Sequence, residues 1–455
     1  MTASRAIAEP ARSTPLFAEV DVVVLGGGPA GLAAATSAAR RGAVTLLVER
    51  YGFLGGMGTA AGVTNFCGLF ANVHGTNVRV VHGVADELLE RMRVLDGLNA
   101  PHLVFGKILA QAYDTAAFKC AADAMLLDSG AEVLFHALAV AVAQDEDGRI
   151  DALVVETKSG RLAIRARTFI DCSGDGDLAH FAGAPMQESG ALLFPTLMFR
   201  VGAVDDARAG QAWRTIPARM DEAEAAGEFR FPRRGAIVRP QRHGGEWRVN
   251  VTQLKNADGS AVDGTDARSL SEGEIEGRRQ AIDYLRFLRA RVPGFENAYL
   301  LEIAPQVGIR ETRRLLGEHL LSGAEVVGCA SFPDTIGVNG WPLELHVAGD
   351  VEWRWPKIPE SRGFNQLPLR MLLPRRGDGV PENLLVAGRC ASMTHDGQSA
   401  ARVSGGCFVM GQAAGTLAAL AGSRTEALRD VPVDMVQAAL SGDGAYLGTA
   451  LPTTS

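Results

Sequence analysis

The sequence is poor in cysteine and contains no paired cysteine motif. Its 455 residues include six cysteines, which are spread singly along the chain without a C-x-x-C pair. A redox-active dithiol of the disulfide-reductase kind is therefore not expected, and neither is a zinc, iron–sulfur or other metal site. Unpaired thiols are typical of a reducing compartment, so we expect a cytoplasmic protein.

The sequence also lacks an excess of basic residues and a long apolar run. It has 45 Lys and Arg against 52 Asp and Glu, which gives a formal net charge of −7. Without a basic field to attract phosphates at long range, a nucleic-acid partner is not expected. Residues 1–18 contain no continuous apolar segment and are predicted to be a flexible tail. No apolar stretch is expected to be long enough to cross a bilayer, so no membrane association is expected.

Glycine, in contrast, is abundant, with 53 residues, and it is concentrated near the start in "VVVLGGGPAGLAAATSAARRGAVTLLVER". Residues 21–25 are predicted to form a buried strand and residues 29–40 a helix. Gly26 and Gly28 lie between this strand and the start of the helix, and Gly31 lies in the first turn of the helix. The three glycines have the G-x-G-x-x-G spacing. This spacing permits a tight turn, a close backbone approach to a pyrophosphate and close helix-to-strand packing. Free N–H groups at the helix start would then point at the phosphates.

An acidic residue follows at the expected distance. The second apolar run, residues 44–48, ends in Glu49, which lies 49 − 26 = 23 residues after Gly26. A carboxylate at this distance is the residue that binds the ribose of a dinucleotide. The order of strand, glycines, helix, strand and acid favours a bound dinucleotide over a merely structural glycine turn.

The next segment favours FAD over NAD. In "RYGFLGGMGT", Arg50 is followed by the pair Gly55 and Gly56. This R-x-x-x-x-G-G arrangement resembles the paired-glycine element of flavoproteins of the glutathione-reductase superfamily, in which the loop passes over the cofactor phosphates. The alternative is a glycine-rich surface loop, since paired glycines are also common in turns.

The chain then alternates between helical and strand patterns. Residues 84–94 and 110–129 have helical apolar spacing, and Gly130 is a plausible C-cap. A strand-rich stretch with turns at residues 147–148 and 159–160 predicts a small antiparallel meander that returns to the main sheet at "RTFIDCSGDGD". In this segment Asp171, Ser173, Gly174 and Asp177 resemble the second cofactor-contact strand of the superfamily.

The middle of the chain is predicted to be a substrate domain, residues 185–364. "TLMFRVGAV" and "EWRVNVTQL" alternate as strands do, and residues 271–291 form an amphipathic helix pattern with a capping box of Ser271 and Glu274. No second G-x-G-x-x-G opens a helix in this region. A dedicated NAD(P)H domain is therefore not expected.

The C-terminal part returns to the cofactor. Residues 384–387 are predicted to form a buried strand, followed by Gly388, a polar loop and a helix beginning near Ser404. In the superfamily the corresponding helix N-terminus points at the pyrimidine end of the flavin, where it stabilises the negative charge of the reduced ring. Gly405 and Gly406 would let that backbone approach the ring.

Several segments thus resemble, in the same order, the FAD-dependent oxidoreductase family of the glutathione-reductase superfamily. They are "GGGPAG", "RYGFLGGM", "IDCSGDGD", "VGIRETRRLLGEHLL", "DTIGVNGWPLELH" and "NLLVAGRCASMTHDGQSAARVSGGCFVMGQAAG", and the resemblance covers about residues 20–420. It implies an α/β fold in which a Rossmann-like FAD-binding domain, with a parallel sheet and an antiparallel meander, carries an inserted α+β substrate domain. The implied FAD-binding domain comprises residues 19–184 and 365–425, and residues 426–455 form a C-terminal extension. A homodimer is common among such folds.

The resemblance implies a set of FAD-binding residues. They are Gly26, Gly28, Pro29, Ala30, Gly31, Glu49, Arg50, Gly55, Gly56, Met57, Thr59, Val140, Ser173, Gly174, Asp177, Gly388, Arg389, Ser404, Gly405 and Gly406.

The sequence departs from the family pattern at two places. "THDGQSAARVSGG" is more polar than the helix start in many members. Gly388 is followed by Arg389, whereas aromatic-ring hydroxylases of the superfamily usually have a G-D dipeptide there. This difference disfavours a monooxygenase without excluding it.

Four residues are candidates for catalysis. Arg310 is suited to hold a substrate carboxylate or carbonyl by a bidentate contact, although it and its neighbour Arg313 have acidic residues nearby with which to form structural ion pairs. His346 and His395 are the candidate general acids or bases, with the purely structural histidine as the alternative. Asp396 would alter the pKa of His395, and Arg402 would bind the flavin pyrimidine or a substrate acid.

Three functions remain open from the sequence. The first is an FAD-dependent dehydrogenase, oxidase or reductase that transfers hydride between flavin N5 and a small organic substrate. The second is an FAD-dependent monooxygenase that uses NAD(P)H and O2 as transient co-substrates. The third is a flavin-binding protein without turnover.

Overall fold

In a computed structural model, residues 7, 9–187 and 190–450 are described. The helices, numbered in chain order, are α1 (Pro29–Arg40), α2 (Met57–Ala60), α3 (Val84–Val94), α4 (Thr115–Asp128), α5 (Asp177–Phe181), α6 (Asp206–Ala209), α7 (Ala212–Ala225), α8 (Ala267–Arg291), α9 (Gly323–Val327), α10 (His395–Ala401), α11 (Ser404–Arg424) and α12 (Val433–Gly442).

The strands include several of only two to four residues. They are β1 (Leu16–Leu25), β2 (Thr45–Val48), β3 (Asn65–Phe66), β4 (Phe70–Val73), β5 (Thr76–Arg79), β6 (His102–Val104), β7 (Ile108–Ala112), β8 (Glu132–Leu134), β9 (Leu138–Gln144), β10 (Ile150–Thr157), β11 (Gly160–Asp171), β12 (Met186–Gln187), β13 (Phe199–Gly202), β14 (Ile237–Pro240), β15 (Trp247–Asn250), β16 (Tyr299–Ile303), β17 (Arg314–Leu315), β18 (Thr335–Asn339), β19 (Leu343–Val347), β20 (Asp350–Arg354), β21 (Asn365–Pro368) and β22 (Leu384–Val386).

The main sheet is partly parallel and partly antiparallel. Its strand order is β8-β2-β1-β11-β10-β9, and β22 pairs with β11. Strands β8, β2, β1, β11 and β22 run parallel, whereas β9 and β10 pair antiparallel with their neighbours. The 12-residue strand β11 joins the parallel and antiparallel parts of the sheet. Its first half pairs antiparallel with β10, and most of its length pairs parallel with β1. The predicted α/β fold with a parallel sheet and an antiparallel meander is confirmed.

Helices α1 and α11 pack closely against each other beside this sheet. A Cβ atom at Gly411 would lie 2.0 Å from the carbonyl oxygen of Ala30, and one at Gly415 would lie 2.0 Å from that of Ala34. The two glycines therefore allow the helix backbones to touch, a contact that a larger residue would prevent. Helix α11 is long and apolar enough to cross a membrane, contrary to the expectation from the sequence, but 89% of its apolar window is buried inside the protein.

A second sheet lies within residues 185–364, the region predicted to be a substrate domain. Its strand order is β14-β15-β13-β16, and all its strand pairs are antiparallel. One face packs on α7 and α8 through a core that includes Trp247, Phe287 and Phe295.

Two predicted element starts were wrong. Strand β1 begins at Leu16, inside the segment predicted as a tail, because residues 16–20 pair with β11. Residues 110–112 belong to β7, and α4 begins only at Thr115, where the Asp114 side chain accepts a hydrogen bond from the Ala117 N–H.

Two further predictions concerned helix starts in the second half of the chain. Helix α8 begins at Ala267, and its cap is Asp266, whose carboxylate accepts from the Ser269 N–H. The predicted capping residue Ser271 lies inside the helix and donates to the Ala267 carbonyl. The predicted polar loop after β22 contains helix α10, capped by Thr394.

The predicted domain boundaries remain predictions. Residues 1–6 and 8 of the predicted tail, and residues 451–455 of the predicted C-terminal extension, lie outside the described residues.

Candidate active site

A large cavity lies where the parallel strands of the main sheet end, and it extends to the second sheet. At one end it is lined by the turn after β1, by Glu49 at the end of β2 and by Ser173 after β11. At the other end it is lined by residues of β14 and β15 and by Trp341 and Trp353. Ligands bind in open α/β sheets at this edge, outside the carboxyl ends of the strands.

The glycines of the first turn have different physical roles. Gly26 has φ +100°, and a Cβ there would lie 2.4 Å from the Cys172 carbonyl oxygen. A Cβ at Gly31 would lie 1.7 Å from the Gly26 carbonyl oxygen, so Gly31 packs against protein and does not line the cavity. A Cβ at Gly28 would meet no protein atom closer than Gly56 Cα, at 3.6 Å. Since the fold leaves this space open, the absence of a side chain at Gly28 fits a ligand that fills the cavity.

The start of α1 offers hydrogen-bond donors to that ligand. Gly28 is the N-cap residue and provides no side-chain hydrogen bond, Pro29 follows it, and the first turn contains no acidic residue. Gly28, Pro29 and Ala30 line the cavity. A helix N-terminus without a side-chain cap is suited to bind a pyrophosphate.

Glu49 is held rigidly beside this turn. Its Oε2 accepts a hydrogen bond from the Gly27 N–H at 2.6 Å, and its Oε1 accepts from the Tyr51 N–H at 2.9 Å. Burial raises the pKa of Glu49, although these hydrogen bonds and the Arg50 charge act in the opposite direction. The carboxylate lines the cavity with a fixed orientation, as a ribose-binding acid requires.

The paired glycines bring the next loop against the first turn. The Gly55 N–H donates to the Gly27 carbonyl at 2.8 Å. Gly56 has φ +54°, and a Cβ there would lie 2.7 Å from Gly28 Cα. Gly56 and Met57 line the cavity, whereas Gly55 does not. The loop is therefore not a surface loop, which was the alternative to a cofactor contact.

Thr59 holds this loop and does not reach the cavity. Its side chain is buried, and its hydroxyl donates to the Leu54 carbonyl at 2.7 Å. Thr59 was predicted to bind the cofactor, but it is absent from the cavity lining because its hydroxyl is used inside the loop.

A buried carboxylate joins two cationic residues at the same end. Asp175 Oδ1 accepts from Arg389 Nη2 at 2.8 Å, and Arg50 Nη1 lies 3.9 Å from Asp175 Oδ2. Arg389 Nη1 is buried and has no hydrogen-bond partner among the described residues. Arg50, Gly388 and Arg389 line the cavity. This unused donor fits an anionic group, such as a phosphate, in the cavity.

Ser173 and Gly174 line the cavity as predicted residues of the second contact strand, but Asp177 does not. Asp177 is the first residue of α5 and forms an ion pair with Arg313. Burial and the charge of Asp175 raise its pKa to about 6. The Arg313 pair occupies its carboxylate, so Asp177 is a structural residue in this position.

The start of α11 also differs from the prediction. The Gly405 N–H donates to the Cys67 carbonyl at 2.9 Å, and a Cβ at Gly405 would lie 2.2 Å from the Gly68 carbonyl oxygen. A Cβ at Gly406 would lie 2.3 Å from the Ala401 carbonyl oxygen. Both glycines therefore serve packing against protein, and only Ser404 lines the cavity.

Val140 was also predicted to bind the cofactor. It lies in β9, the outer strand of the meander, which is separated from β11 by β10. Because of this distance in the sheet, Val140 does not line the cavity.

Two of the four catalytic candidates, Arg310 and Arg402, line the cavity. Arg310 Nε donates to the Phe194 carbonyl and its Nη2 to Thr196 Oγ1, both at 2.9 Å. Arg402 Nε and Nη2 are buried and have no hydrogen-bond partner among the described residues. Arg402 thus has donors free for a ligand, whereas Arg310 is largely used by the protein.

His346 does not reach the cavity but contacts a residue that does. The imidazole is 1% exposed, and its Nε2 lies 3.1 Å from Oε1 of Glu344. Burial and the Arg310 charge lower the pKa of His346, so its neutral ring donates to Glu344. Trp341 Nε1 donates to the other oxygen, Oε2, at 2.9 Å. His346 therefore positions Glu344, which lines the cavity.

Glu344 remains ionised despite its burial. Burial alone would raise its pKa, but the hydrogen bond from His346 and the charges around it, including Arg402 and Arg310, lower it to about 2. The cavity therefore contains a fixed negative charge at neutral pH.

His395 was predicted to lie in a loop beside the flavin, with Asp396 as its partner. It is instead the first residue of α10, and its Nδ1 lies 2.8 Å from Glu311 Oε2. Burial and the Arg314 charge lower its pKa, although Asp396 acts in the opposite direction. His395 is not part of the cavity lining, because α10 directs it toward Glu311.

Sequence reasoning missed several polar residues of the cavity. These are Asn65, His102, Arg239, Arg248, Asn250 and Glu344. Arg239, Arg248 and Asn250 occupy alternate positions on β14 and β15, so the strand parity in "IVRP" and "WRVN" is the signal that could have revealed a polar face.

Three features are typical of a dinucleotide-dependent enzyme. They are the glycine turn at a helix N-terminus, the fixed acid after the second strand and the long cavity between the two sheets. The family model described as FAD dependent oxidoreductase matches residues 21–440. The chain belongs to this family, and it is an enzyme that uses FAD.

Comparison with individual proteins gives more distant similarities. The thiamine thiazole synthase of Sulfolobus acidocaldarius is 29% identical in an alignment of 194 residues that covers 39% of this chain and 64% of that protein. The chain thus matches less than two thirds of that relative's length.

Two solved structures are similar to this chain at low sequence identity. A geranylgeranyl bacteriochlorophyll reductase-like protein from Thermoplasma acidophilum has a TM-score of 0.46 at 14% identity, over 93% of this chain and 82% of that one. The p-nitrophenol 4-monooxygenase of Pseudomonas putida DLL-E4 has a TM-score of 0.46 at 12% identity, over 96% of this chain and 91% of that one.

Proposed function

We propose that the enzyme transfers hydride between N5 of FAD and a small organic substrate, as a dehydrogenase, oxidase or reductase. The observation that supports this best is the single cavity that extends from Gly28 and Glu49 to the polar face of β14 and β15. One part has the residues for a dinucleotide, and the other has space and polar groups for a second molecule. FAD supplies two-electron chemistry at its flavin ring when it is bound.

The residues at the Gly28 and Glu49 end of the cavity are suited to hold FAD. In this proposal the α1 N-terminus and Arg389 bind the pyrophosphate, and Glu49 binds the ribose. The remaining cavity residues from the predicted set, which we propose contact the cofactor, are Gly26, Pro29, Ala30, Arg50, Gly56, Met57, Ser173, Gly174, Gly388 and Ser404. Membership of the glutathione-reductase superfamily is part of this proposal.

The residues at the β14 and β15 end of the cavity are suited to orient a substrate and accept a proton. Arg402 has unused donors that fit the flavin pyrimidine or a substrate oxygen. His102 is the one histidine in the lining formed by the described residues. Burial and the charges of Arg248 and Arg239 lower its pKa to about 4, so it is neutral at pH 7 and able to accept a proton.

A monooxygenase that uses NAD(P)H and O2 is the second candidate, and a flavin-binding protein without turnover is the third. Arg389 follows Gly388, and its guanidinium is bound to Asp175. Aromatic-ring hydroxylases of the superfamily usually have Asp at this position. This arrangement favours the first candidate.

An anaerobic titration separates these candidates. The FAD-loaded protein is titrated with NADH and then NADPH while the visible flavin absorbance is followed. A dehydrogenase or oxidase predicts that the flavin stays oxidised with both nucleotides and is bleached by the organic substrate. Rapid bleaching by either nucleotide would favour a reductase or monooxygenase, and incorporation of oxygen into a product would then distinguish the two. A flavin that no donor reduces would favour the protein without turnover.

Several further properties are proposed from the sequence. We propose an FAD-binding domain of residues 19–184 and 365–425, a substrate domain of residues 185–364 and a C-terminal extension of residues 426–455. We also propose a cytoplasmic location, a homodimer, and no nucleic-acid or membrane partner. NAD(P)H or O2 would act only as a transient co-substrate.

A further inference from the structure

Two arginines face each other across the strands that close the substrate part of the cavity. Arg239 of β14 and Arg248 of β15 are register partners in the antiparallel pair, as are Ile237 and Asn250. Side chains directly opposite in such a pair have Cβ atoms about 5 Å apart. All four residues line the cavity, so both guanidinium groups belong to the same polar face.

Neither arginine has a carboxylate partner among the described residues. Arg248 is 6% exposed, and its Nε has no hydrogen-bond partner in that part of the chain. Arg239 donates to the Val238 carbonyl at 3.0 Å and lies over the Trp213 ring at 5.3 Å, and neither contact neutralises its charge. Two like charges opposite each other in a poorly solvated site repel each other, so this arrangement is costly without an anion.

The burial of this pair affects its protonation without removing its charge. Burial lowers the pKa of Arg248, and burial together with the Arg248 charge lowers the pKa of Arg239 to about 10. With a pKa of about 10, Arg239 remains cationic at neutral pH, and the guanidinium of arginine is not deprotonated in proteins.

The carboxylates of Glu344 and Glu246 have their hydrogen bonds and ion pairs with other residues. Glu344 accepts from His346 and Trp341. Glu246, on the turn before β15, pairs with Arg200 at 3.0 Å. The charge of the ionised Glu344 acts on Arg248, but two arginines against this one carboxylate still favour a ligand that brings its own negative charge.

The same cavity also has an aromatic surface. The Trp341 and Trp353 rings lie 6.0 Å apart, and Phe105 lies 4.8 Å from Trp353, between ring centroids. All three line the cavity. Such a surface is suited to an apolar or planar body.

We propose that Arg239 and Arg248 bind the carboxylate of an organic-acid substrate, whose apolar or planar body lies against Trp341 and Trp353. A guanidinium fork binds a carboxylate in a bidentate manner, and Asn250 supplies a further amide donor. The inference rests on the proposed function, since it names the class of substrate for the same cavity. It does not depend on which electron acceptor the enzyme uses.

Binding of simple carboxylates to the FAD-loaded full-length protein tests this proposal. The probes are acetate and benzoate, with the neutral benzamide and inorganic phosphate for comparison. Binding is followed by the perturbation of the flavin absorbance and by the increase in melting temperature. We expect benzoate to bind about tenfold or more tightly than benzamide, because only the carboxylate forms charge-assisted hydrogen bonds.

Substitutions at the pair show whether these arginines are responsible. We expect Arg248→Gln and Arg239→Gln each to weaken benzoate binding about tenfold or more and to leave benzamide binding unchanged. Arg286→Gln is the matched control, because Arg286 lies on α8 with 71% of its side chain exposed. The control is expected to bind benzoate as the wild type does. The flavin spectrum of each variant reports whether it has folded and holds FAD.

Three results would overturn the proposal. Equal binding of benzoate and benzamide would show that binding does not depend on the negative charge of the ligand. Unchanged benzoate binding in both arginine variants would place the carboxylate elsewhere. Phosphate binding that depends on the pair, without acetate or benzoate binding, would make it a phosphate site. Failure of the proposed function is a separate result, since the protein would then bind carboxylates at the pair while no donor reduces its flavin.

Discussion

The imidazole Nε2 of the buried His346 lies 3.1 Å from Oε1 of Glu344, a carboxylate that lines the cavity. His346 is therefore a positioning residue, which acts on the cavity through the charge and orientation of Glu344. This relationship gives a first prediction about stability and pH.

Replacing His346 with Leu is expected to destabilise the protein by about 2 kcal/mol at pH 7, because a buried carboxylate loses a hydrogen bond. The pKa of Glu344 is lowered from 4.5 to about 2, so the stability that it contributes is present above pH 4.5 and lost as the pH falls toward 2. The difference between variant and wild type should therefore shrink below pH 4.5, as measured by urea unfolding. His346→Gln, which keeps a donor, should recover part of the loss. A difference that is constant with pH would show that Glu344 is not involved.

A second prediction concerns Gly28. Gly28→Val should fold, because no protein atom lies closer than 3.6 Å to the added Cβ, but it should weaken FAD binding about 100-fold or more by filling ligand space. Titration of the apoprotein with FAD measures this. Gly422→Ala is the control, since a Cβ there meets nothing within 4 Å and the residue lies near the end of α11, away from the cavity. Normal FAD affinity of Gly28→Val would exclude the pyrophosphate position that we propose.

A third prediction concerns the contact of α1 and α11. Gly415→Ala should destabilise the protein by about 1–3 kcal/mol, because its Cβ would lie 2.0 Å from the Ala34 carbonyl oxygen. Helix propensity alone would make the same change stabilising by about 1 kcal/mol. Thermal unfolding decides between the two signs, and Gly422→Ala in the same helix serves as the reference.

A fourth prediction concerns His102. If it accepts a proton, the rate of flavin reduction should fall as the pH decreases through about 4, where the imidazole becomes protonated. Because the Arg248 and Arg239 charges contribute to the low pKa, Arg239→Gln should move this acidic limb to higher pH. The measurement is the pH profile of the anaerobic reduction rate. An acidic limb at the same pH in the variant would rule out His102 as the titrating group.

The cofactor part of the fold could be predicted well from the sequence. Helix α1 has the predicted bounds, residues 29–40, because the glycines, Pro29 and the alanine-rich pattern all act locally. The paired glycines were also recognisable in the sequence. Gly56 adopts a positive φ that other residues avoid, so the local backbone conformation itself favours glycine.

The predictions that failed depend on contacts between distant segments. Gly405 and Gly406 look from the sequence like a helix start open to a ligand, but the loop at Gly68 packs against the first and Ala401 against the second. His395 was assigned a role from its position after β22, yet Glu311, distant in sequence, determines its orientation. The arginine pair of β14 and β15 requires the strand register, which the sequence does not specify.

The most direct test of the central claim is the absorbance of the purified protein between the near ultraviolet and the visible, before and after incubation with FAD. The account predicts flavin bands that stay with the protein on gel filtration at one FAD per chain, and that are lost in Gly28→Val. A folded wild-type protein with no flavin spectrum, even after FAD is added, would contradict the cofactor site and every proposal that depends on it.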